Sequence, residues 1–145
     1  MFLSHEEIQV VPWEEAYQAT LTGNKTGVFS TVRIPDRESS FKWVGPISME
    51  RYVLFSALDP HVLVKSPEDL KALWIGAIAG DASLQLLRTA GIDESLFVTD
   101  ANASELIEIL EKKEIDLWAS PECTGRYYAE LMTGDYYPFN ASCLR

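Results

Sequence analysis

The sequence predicts an α/β fold, because short apolar runs alternate with amphipathic stretches along most of its length. The clearest apolar run is at residues 72–79, between a helix start at Ser66 and a predicted helix over 82–90. A second run, at residues 115–119, follows a predicted helix over 104–112 in the same way. Strands alternating with helices are typical of parallel sheets that carry helices on their faces.

The first part of the chain predicts a strand, a helix and two further extended segments. A strand is predicted at residues 8–11, where three of the four residues are apolar and β-branched, and it ends at Pro12. A helix is predicted over 13–21, because Glu14 and Glu15 complement its N-terminal dipole and Gly23 ends it. The extended segments are residues 28–29 and 41–44, separated by a helical turn that begins at Pro35.

The remainder predicts a longer βα series. A strand is expected at residues 51–58, then a short helix with Ser66 as N-cap and Pro67 in its first turn. Later elements are a strand at 97–98, a strand-end loop at 120–122, a helix over 124–132 and an extended segment at 136–139. The helix over 104–112 has a clear apolar stripe of Leu106, Ile107, Ile109 and Leu110.

Composition excludes several function classes. The formal net charge is −10, so nucleic acid and anionic membrane surfaces are poor partners. Two cysteines, Cys123 and Cys143, are too few for a disulfide framework, and a bridge between them stays open. Neither they nor the isolated His5 and His61 form a metal pattern, so no metal and no cofactor are expected. No nucleophile is paired with a base, and an enzyme is not expected.

Arg37 is the main candidate binding residue. It follows a predicted strand end and lies at a helix start, where open α/β sheets form ligand crevices. Its guanidinium could hold a carboxylate with two parallel hydrogen bonds. The alternative is a surface arginine that pairs with Asp36 or Glu38.

The stretch around Arg37 resembles a known family pattern. A proline, an acid, arginine and glutamate precede a phenylalanine and WVGPI at residues 35–47. Further matching pieces follow in order, including SPEDLKALWIGAIAGDASLQLLRTAGI and LEKKEIDLWAS. This series is similar to the extracellular solute-binding proteins of family 3, the ligand-capturing components of amino-acid ABC importers. The resemblance implies the type II periplasmic-binding fold, with two lobes around a ligand cleft that close by a hinge.

The resemblance also implies roles in lobe one, expected at residues 1–50. Arg37 corresponds to the family's carboxylate-binding arginine. Val32 and Ile34 stand where relatives often have threonines, so Arg33 is the candidate to supply the missing donors. Trp13 either lines the cleft or belongs to the core.

Lobe two is expected at residues 51–145. In the family, the helix start at Gly80, Asp81 and Ala82 presents backbone N–H groups to a ligand carboxylate or neighbouring polar group. The alternative is an ordinary turn of an α/β unit. Relatives commonly carry an aspartate for the ligand ammonium in a slot that falls here on Pro121, and the neighbouring Glu122 is the candidate replacement.

The resemblance spans only part of the family's domain, so we expect a partial lobe one and a nearly complete lobe two. The apolar faces left exposed would be buried in a homodimer, with or without exchange of elements. The N-terminus does not resemble a signal peptide. The family is periplasmic, and this chain is expected either in the cytoplasm or as a mature or truncated fragment. A membrane permease is a partner only if the chain is exported. The expected function is binding of an amino-acid-like or other carboxylate. The alternative is a repurposed fragment that self-associates or contacts proteins without binding a solute.

Overall fold

The computed structural model describes residues 8–57, 64–133 and 142–143. The chain divides into two compact units, Met1–Ser48 and Met49–Arg145, here called unit 1 and unit 2. The two units differ in secondary structure and in how much of each is buried.

Within residues 8–48, unit 1 contains one α-helix, α1, at Trp13–Thr22. The helix begins directly after Pro12, and its first turn carries Glu14 and Glu15, whose negative charge favours a helix N-terminus. Its C-cap is Gly23, whose N–H donates to the carbonyl of Ala19 at 2.9 Å. The predicted helix is therefore confirmed, with one additional residue at its end.

The remainder of the described part of unit 1 is irregular apart from a short 3₁₀ helix at Pro35–Arg37. Ile34 is extended with φ −126°, as expected for a residue before proline. The strand predicted at residues 8–11 is wrong, and the extended segments at 28–29 and 41–44 form no strand, because no strand is present within residues 8–48. A strand requires a hydrogen-bonded neighbour, and these segments have no ladder partner in the described part of the chain.

Unit 2 is built on a mixed five-stranded sheet with the order β3-β2-β4-β1-β5. The central strands β2 and β4 pair in parallel, and β3 pairs in parallel with β2. Strand β1 is antiparallel to both β4 and β5. The strands are β1 Tyr52–Phe55, β2 Ile75–Ile78, β3 Phe97–Asp100, β4 Leu117–Pro121 and β5 Ser142–Cys143.

The predicted loop at residues 120–122 is wrong. Strand β4 continues to Pro121, which is the register partner of Tyr52, and a helix begins at Glu122. The strand also begins later than predicted, since the N–H groups of Asp116 and Leu117 both donate to the carbonyl of Trp74. This local contact precedes the ladder and shifts the strand by two residues. The segment predicted at 136–139 lies outside the described residues.

The described residues of unit 2 form three α-helices that cover the sheet: α2 Ala82–Thr89, α3 Ala103–Glu111 and α4 Glu122–Thr133. Helix α2 ends in a Schellman motif. Gly91 has φ +80°, and the N–H of Ile92 donates to the carbonyl of Leu87 at 3.1 Å. The helix predicted after Ser66 is a 3₁₀ helix at Pro67–Ala72, where the Asp69 carboxylate accepts the Ser66 N–H at 2.8 Å.

Each face of the sheet carries its own apolar cluster. One cluster lies beneath α3 and α4 and contains Val53, Phe55, Leu106, Ile107, Leu110, Ile115 and Trp118. The opposite cluster lies beneath α2 and the 3₁₀ helix and contains Leu54, Leu70, Ile75, Ala77, Leu84, Leu87, Ile92, Leu117 and Ala119. Neighbouring strand residues alternate between the clusters, as the pleat requires. Unit 2 is thus a three-layer α/β/α arrangement, which confirms the predicted fold class.

Candidate functional site

Arg37 is buried in unit 1, with only 6% of its surface exposed. Its guanidinium carbon lies 5.2 Å from the centre of the Trp13 ring and 5.3 Å from that of Tyr17. Because Trp13 and Tyr17 are four residues apart on α1, both rings lie on the same side of the helix. The Nη1 group also donates to the carbonyl of Val32 at 3.4 Å. The guanidinium is therefore held in a defined orientation by cation–π contacts.

The alternative of an exposed Arg37 is wrong, since the residue is buried. Glu38, one of its suggested partners, binds Arg33 through both oxygens, with distances of 2.8 Å to Nε and 2.5 Å to Nη2. This hydrogen bond lowers the pKa of Glu38 below its ordinary value and raises the pKa of Arg33. Both side chains are exposed, so the pair is a surface salt bridge.

A row of four aromatic rings extends from the Arg37 contact. The ring centres are separated by 5.5 Å from Trp13 to Tyr17, 5.4 Å from Tyr17 to Phe41 and 5.6 Å from Phe41 to Trp43. Arg33 lies over the last ring, with its guanidinium carbon 5.7 Å from the Trp43 centre. This aromatic row, Trp13, Tyr17, Phe41 and Trp43, connects the two candidate arginines of unit 1.

In unit 2, Gly80, Asp81 and Ala82 connect β2 to α2. Gly80 adopts φ +71°, a left-handed conformation that glycine accepts without strain. Asp81 is the N-cap of α2, and its Oδ1 accepts both the backbone N–H and the hydroxyl of Ser83, at 2.8 and 2.5 Å. The helix start therefore already binds a carboxylate from the chain itself. An incoming carboxylate would compete with Asp81 for the same donor.

Tyr52 is a site neighbour that sequence reasoning missed. Its backbone pairs with Pro121 at the end of β4, and its hydroxyl lies 3.3 Å from Oδ2 of Asp81. Tyr52 thus links the carboxyl ends of β2 and β4. The chain connects β2 to β3 on one side, while β4 lies on the other, which makes this edge a topological switch point where open sheets bind ligands.

Glu122, the first residue of α4, is held by two arginines. Its Oε1 accepts from Arg126 at 3.1 Å to Nε and 2.8 Å to Nη2, and its Oε2 lies 2.5 Å from Nη2 of Arg51. The Arg126 hydrogen bond and the charge of Arg51 hold the pKa of Glu122 below its ordinary value, against an opposing effect of burial. The carboxylate predicted to bind an ammonium group is therefore already neutralised. We call these three side chains the Arg51–Glu122–Arg126 cluster.

Sequence reasoning missed both arginines for a physical reason. Arg126 could have been found from its spacing of four residues from Glu122 on a helix. Arg51 could not, because its contact depends on the pairing of β1 with β4, which adjacent sequence does not reveal. The N–H of Glu122 donates to the carbonyl of Arg51 at 2.8 Å, one step beyond that ladder.

A groove of about 370 Å³ lies on the β3 side of Gly80. The Arg88–Glu94 ion pair, at 2.8 and 3.1 Å, forms part of its wall together with Phe97 and Thr99. The Glu94 carboxylate already accepts two hydrogen bonds from the Arg88 guanidinium, so the charged groups of the groove wall are paired with each other.

Three further findings concern the described residues. Cys123 is an exposed free thiol whose pKa is raised mainly by the charge of Glu50. Among the described residues, no group of three or more His, Cys, Asp or Glu side chains could hold a metal ion. None of the helices in the described ranges has the length and apolar character needed to cross a bilayer.

No family model and no curated protein matches the sequence. Solved structures do match. The ancestral amino-acid-binding protein AncCDT-1, a precursor of cyclohexadienyl dehydratase, matches 93% of this chain and 57% of its own at 17% identity and a TM-score of 0.67. The arginine-, lysine-, histidine-binding protein ArtJ from Geobacillus stearothermophilus matches 79% of this chain and 47% of its own at 14% identity and a TM-score of 0.62.

The arginine-bound form of truncated ArgBP from T. maritima matches 78% of this chain and 50% of its own, at 13% identity and a TM-score of 0.63. The chain thus spans about half the length of the solved structures it matches. At these identities the comparison establishes the fold. Over the length it covers, the chain has the α/β fold of type II periplasmic amino-acid-binding proteins, as the family resemblance implied.

Proposed function

We propose that the protein binds an amino-acid-like or other carboxylate-bearing small molecule through Arg37. The observation that carries this proposal is the burial of the Arg37 guanidinium against Trp13 and Tyr17. Cation–π contacts with the two rings and the hydrogen bond from Nη1 to the carbonyl of Val32 fix the plane of the guanidinium. A planar fork held in this way is suited to a carboxylate, because less side-chain entropy is lost on binding.

The solved structures of the same fold support this class of ligand, since those reported above are amino-acid-binding or arginine-binding proteins. The proposal is for a binding protein without catalytic activity. The proposal includes delivery of the ligand to a membrane permease only if the protein is exported.

A thermal-shift screen against amino acids and simple carboxylic acids tests the proposal. A ligand that binds only the native state stabilises it by about 2.7 kcal/mol at a hundredfold excess over its Kd. We expect a saturable rise in Tm with at least one acid, and loss of that rise in Arg37→Lys. Lysine keeps the charge but loses the bidentate fork.

The matched control is Arg33→Lys, in the same motif. Arg33 is exposed and already bound to Glu38, so this variant should retain the ligand-induced rise. Far-UV circular dichroism of both variants verifies that the total helix content is retained. A screen without any shift, or equal losses in the two variants, would contradict the proposal.

Self-association is the second candidate function, and exposed apolar side chains in unit 1 favour it. Val10 and Val44 are 98% and 95% exposed, and Ile47 and Phe29 are 74% and 67% exposed. Contiguous patches of exposed apolar surface mark interaction sites, and these four side chains are the candidates for such a patch. We propose a homodimer as the partner state that would cover them.

Sedimentation velocity over a hundredfold range of concentration tests this candidate. We expect a concentration-dependent dimer that is weakened in Val44→Glu, because a buried unpaired charge is costly at an interface. A monomer throughout the range would exclude self-association while leaving ligand binding intact.

A further inference from the structure

We propose that the outer edge of β3, together with the groove between β3 and α2, binds an extended cationic peptide as an additional strand of the sheet. The proposal rests on unit 2 alone and does not depend on the proposed role of Arg37. The sheet of unit 2 ends at β3 in the described part of the chain, and the groove opens beside that end.

The first argument is the direction of the main-chain groups of β3. The carbonyl of Asp100 accepts the Ala79 N–H at 2.9 Å, so it points towards β2. Successive residues of a strand direct their N–H and C=O groups to opposite sides, so those of Thr99 and Phe97 point outwards. The Phe97 N–H donates to the carbonyl of Glu94. Within the described residues, the Phe97 carbonyl and both main-chain groups of Thr99 are therefore available to an incoming strand.

The edge of β3 lacks several features by which proteins protect a terminal strand. Lysine, proline and β-bulges serve that purpose in other sheets. Strand β3 has the sequence FVTD, and all four of its residues are in continuous parallel register with β2. It therefore contains neither lysine nor proline, and no bulge interrupts it. An edge of this kind can accept an extended segment through main-chain hydrogen bonds, which is β-augmentation.

The second argument is the groove of about 370 Å³ beside this edge. Phe97 and Thr99 line it from β3, and Leu84 and Arg88 line it from α2. Val98 lies between the two β3 residues and packs on the opposite face, against the cluster beneath α3. A strand paired with β3 places every second side chain on the face of Phe97 and Thr99. Those side chains would enter the groove.

The third argument is the charge beside the groove. Among the groove-lining residues and their immediate sequence neighbours, the charged side chains are Asp81, Arg88, Asp93, Glu94 and Asp100. One positive and four negative charges give a formal sum of −3. Glu94 is paired with Arg88. The other three carboxylates accept hydrogen bonds from neutral backbone N–H groups, which leave their charge in place. The edge is therefore complementary to a cationic segment.

The same charge distinguishes a basic peptide from a second copy of this chain. Two copies that paired through β3 would bring the same acids together, and each copy has a formal net charge of −10. Like charges repel at such distances. A basic segment brings lysine or arginine to the acids while its main chain pairs with the free edge. The occupant is therefore a basic peptide in an extended conformation.

Titration of the full chain with a capped hexapeptide of alternating valine and lysine tests the proposal. We expect saturable amide chemical shifts in β3 and α2. Hydrogen exchange of the Thr99 amide should slow, because its N–H gains an acceptor. A hexapeptide of alternating valine and glutamate should bind about tenfold more weakly, because it meets charge of its own sign. Equal binding of the two peptides would contradict the proposed charge complementarity.

Methylation of the peptide nitrogens separates strand pairing from charge attraction. A valine that lies opposite Thr99 directs its side chain into the groove and its N–H towards β3. Methylation of the valine nitrogens should therefore abolish binding. Methylation of the lysine nitrogens should retain it, because those N–H groups point away from β3. Binding of both methylated peptides with the same affinity would overturn the proposal.

Thr99→Pro is the corresponding change in the protein. It removes an outward N–H, which an edge strand tolerates, and it should abolish binding, whereas Thr99→Val should retain it. Asp100→Asn should weaken binding roughly threefold, and it keeps the oxygen that accepts the Asn102 N–H. Glu130→Gln, on the helix that contacts β1 and β4, is the control with the same change in charge. If Thr99→Pro does not fold, the methylated peptides still decide the outcome.

Three results distinguish this proposal from its alternatives. Binding that does not saturate, or that is unchanged in a folded Thr99→Pro variant, would overturn it. A dimer in sedimentation velocity that Thr99→Pro dissociates would also overturn it, because the edge would then bind a second copy. Arg37→Lys should leave the peptide-induced shifts unchanged, so failure of the Arg37 proposal and failure of this one are distinguishable.

Discussion

The two units bury different kinds of side chain. Unit 2 has an apolar cluster on each face of its sheet, with Ile75, Leu87, Leu106 and Trp118 fully buried. In the described part of unit 1, the buried residues are Ile34 and Arg37, and no residue of α1 is fully buried. Unit 2 is thus stabilised by apolar burial, whereas unit 1 depends on ring and cation–π contacts that are individually weak. Arg37, the residue proposed to bind a ligand, lies in the less well packed unit.

The largest expected effect is in the core of unit 2. Trp118→Ala should lower the free energy of unfolding by about 3–5 kcal/mol, because it leaves a large cavity next to Phe55. Trp118→Phe should cost much less. The Nε1 of Trp118 has no hydrogen-bond partner in the described structure, and phenylalanine removes that unsatisfied donor. Urea unfolding of the two variants measures the difference, and equal costs would contradict the expectation that a phenylalanine ring fills most of the cavity.

The next effect compares one glycine in each unit. A Cβ at Gly125 would lie 2.1 Å from Cε2 of Phe55, which is itself packed on Trp118, whereas a Cβ at Gly27 meets nothing within 4 Å. Gly125→Ala should therefore cost about 1–3 kcal/mol of stability by overpacking. Gly27→Ala should be nearly neutral. Similar urea midpoints for both variants would mean that α4 can move away from the sheet at little cost.

A smaller effect is expected in unit 1. Arg37→Met keeps an apolar stem but removes two cation–π contacts, each worth about 0.5–2 kcal/mol. Amide exchange should accelerate across α1, Trp13–Thr22, while α3 retains its protection. Unchanged exchange in α1 would show that ring–ring packing alone holds the helix, and the contrast between the units would then be weaker than proposed.

The smallest effect concerns Asp69, whose pKa is lowered chiefly by the backbone N–H groups of Lys65 and Ser66. A carboxyl group whose pKa is lower in the folded state than in the unfolded state stabilises the fold at pH values above its unfolded-state pKa. This contribution is lost as the pH falls through the folded-state pKa. The urea midpoints of wild type and Asp69→Asn should therefore differ at neutral pH and converge below the ordinary value of 3.8. A constant difference at all pH values would assign the effect to something other than this carboxylate.

The sequence predicted unit 2 better than unit 1 for physical reasons. Helix α3 was located to within one residue at each end because its apolar stripe has a helical period. The extended segments predicted in unit 1 had residues suited to strands. A strand also requires a hydrogen-bonded neighbour, and the residue pattern of a segment does not show which neighbour it has. The pairing of β1 with β4 brings Arg51 and Tyr52 to the candidate site in the same way, and the sequence around these two residues gives no sign of it.

Among the candidate binding residues, local sequence reasoning identified Arg37 but did not predict its environment. The Pro35 turn was recognised from its chemistry, and the resemblance singled out the arginine. Its burial over Trp13 and Tyr17 depends on how the turn packs on α1, which the spacing of residues does not determine. The neutralisation of Glu122 by two arginines was invisible for the same reason, since one of the two is distant in sequence.

The position of β1 within the sheet has a consequence for synthesis on the ribosome. This strand is the first strand of unit 2 to be translated, whereas its neighbour β4 is the last of the parallel strands. Leu54 therefore cannot pair with Ala119 until β4 has been translated. All four of its residues are buried in the finished sheet. During elongation the nascent chain therefore exposes an unpaired hydrophobic segment. Such segments are recognised by chaperones and aggregate when translation stalls.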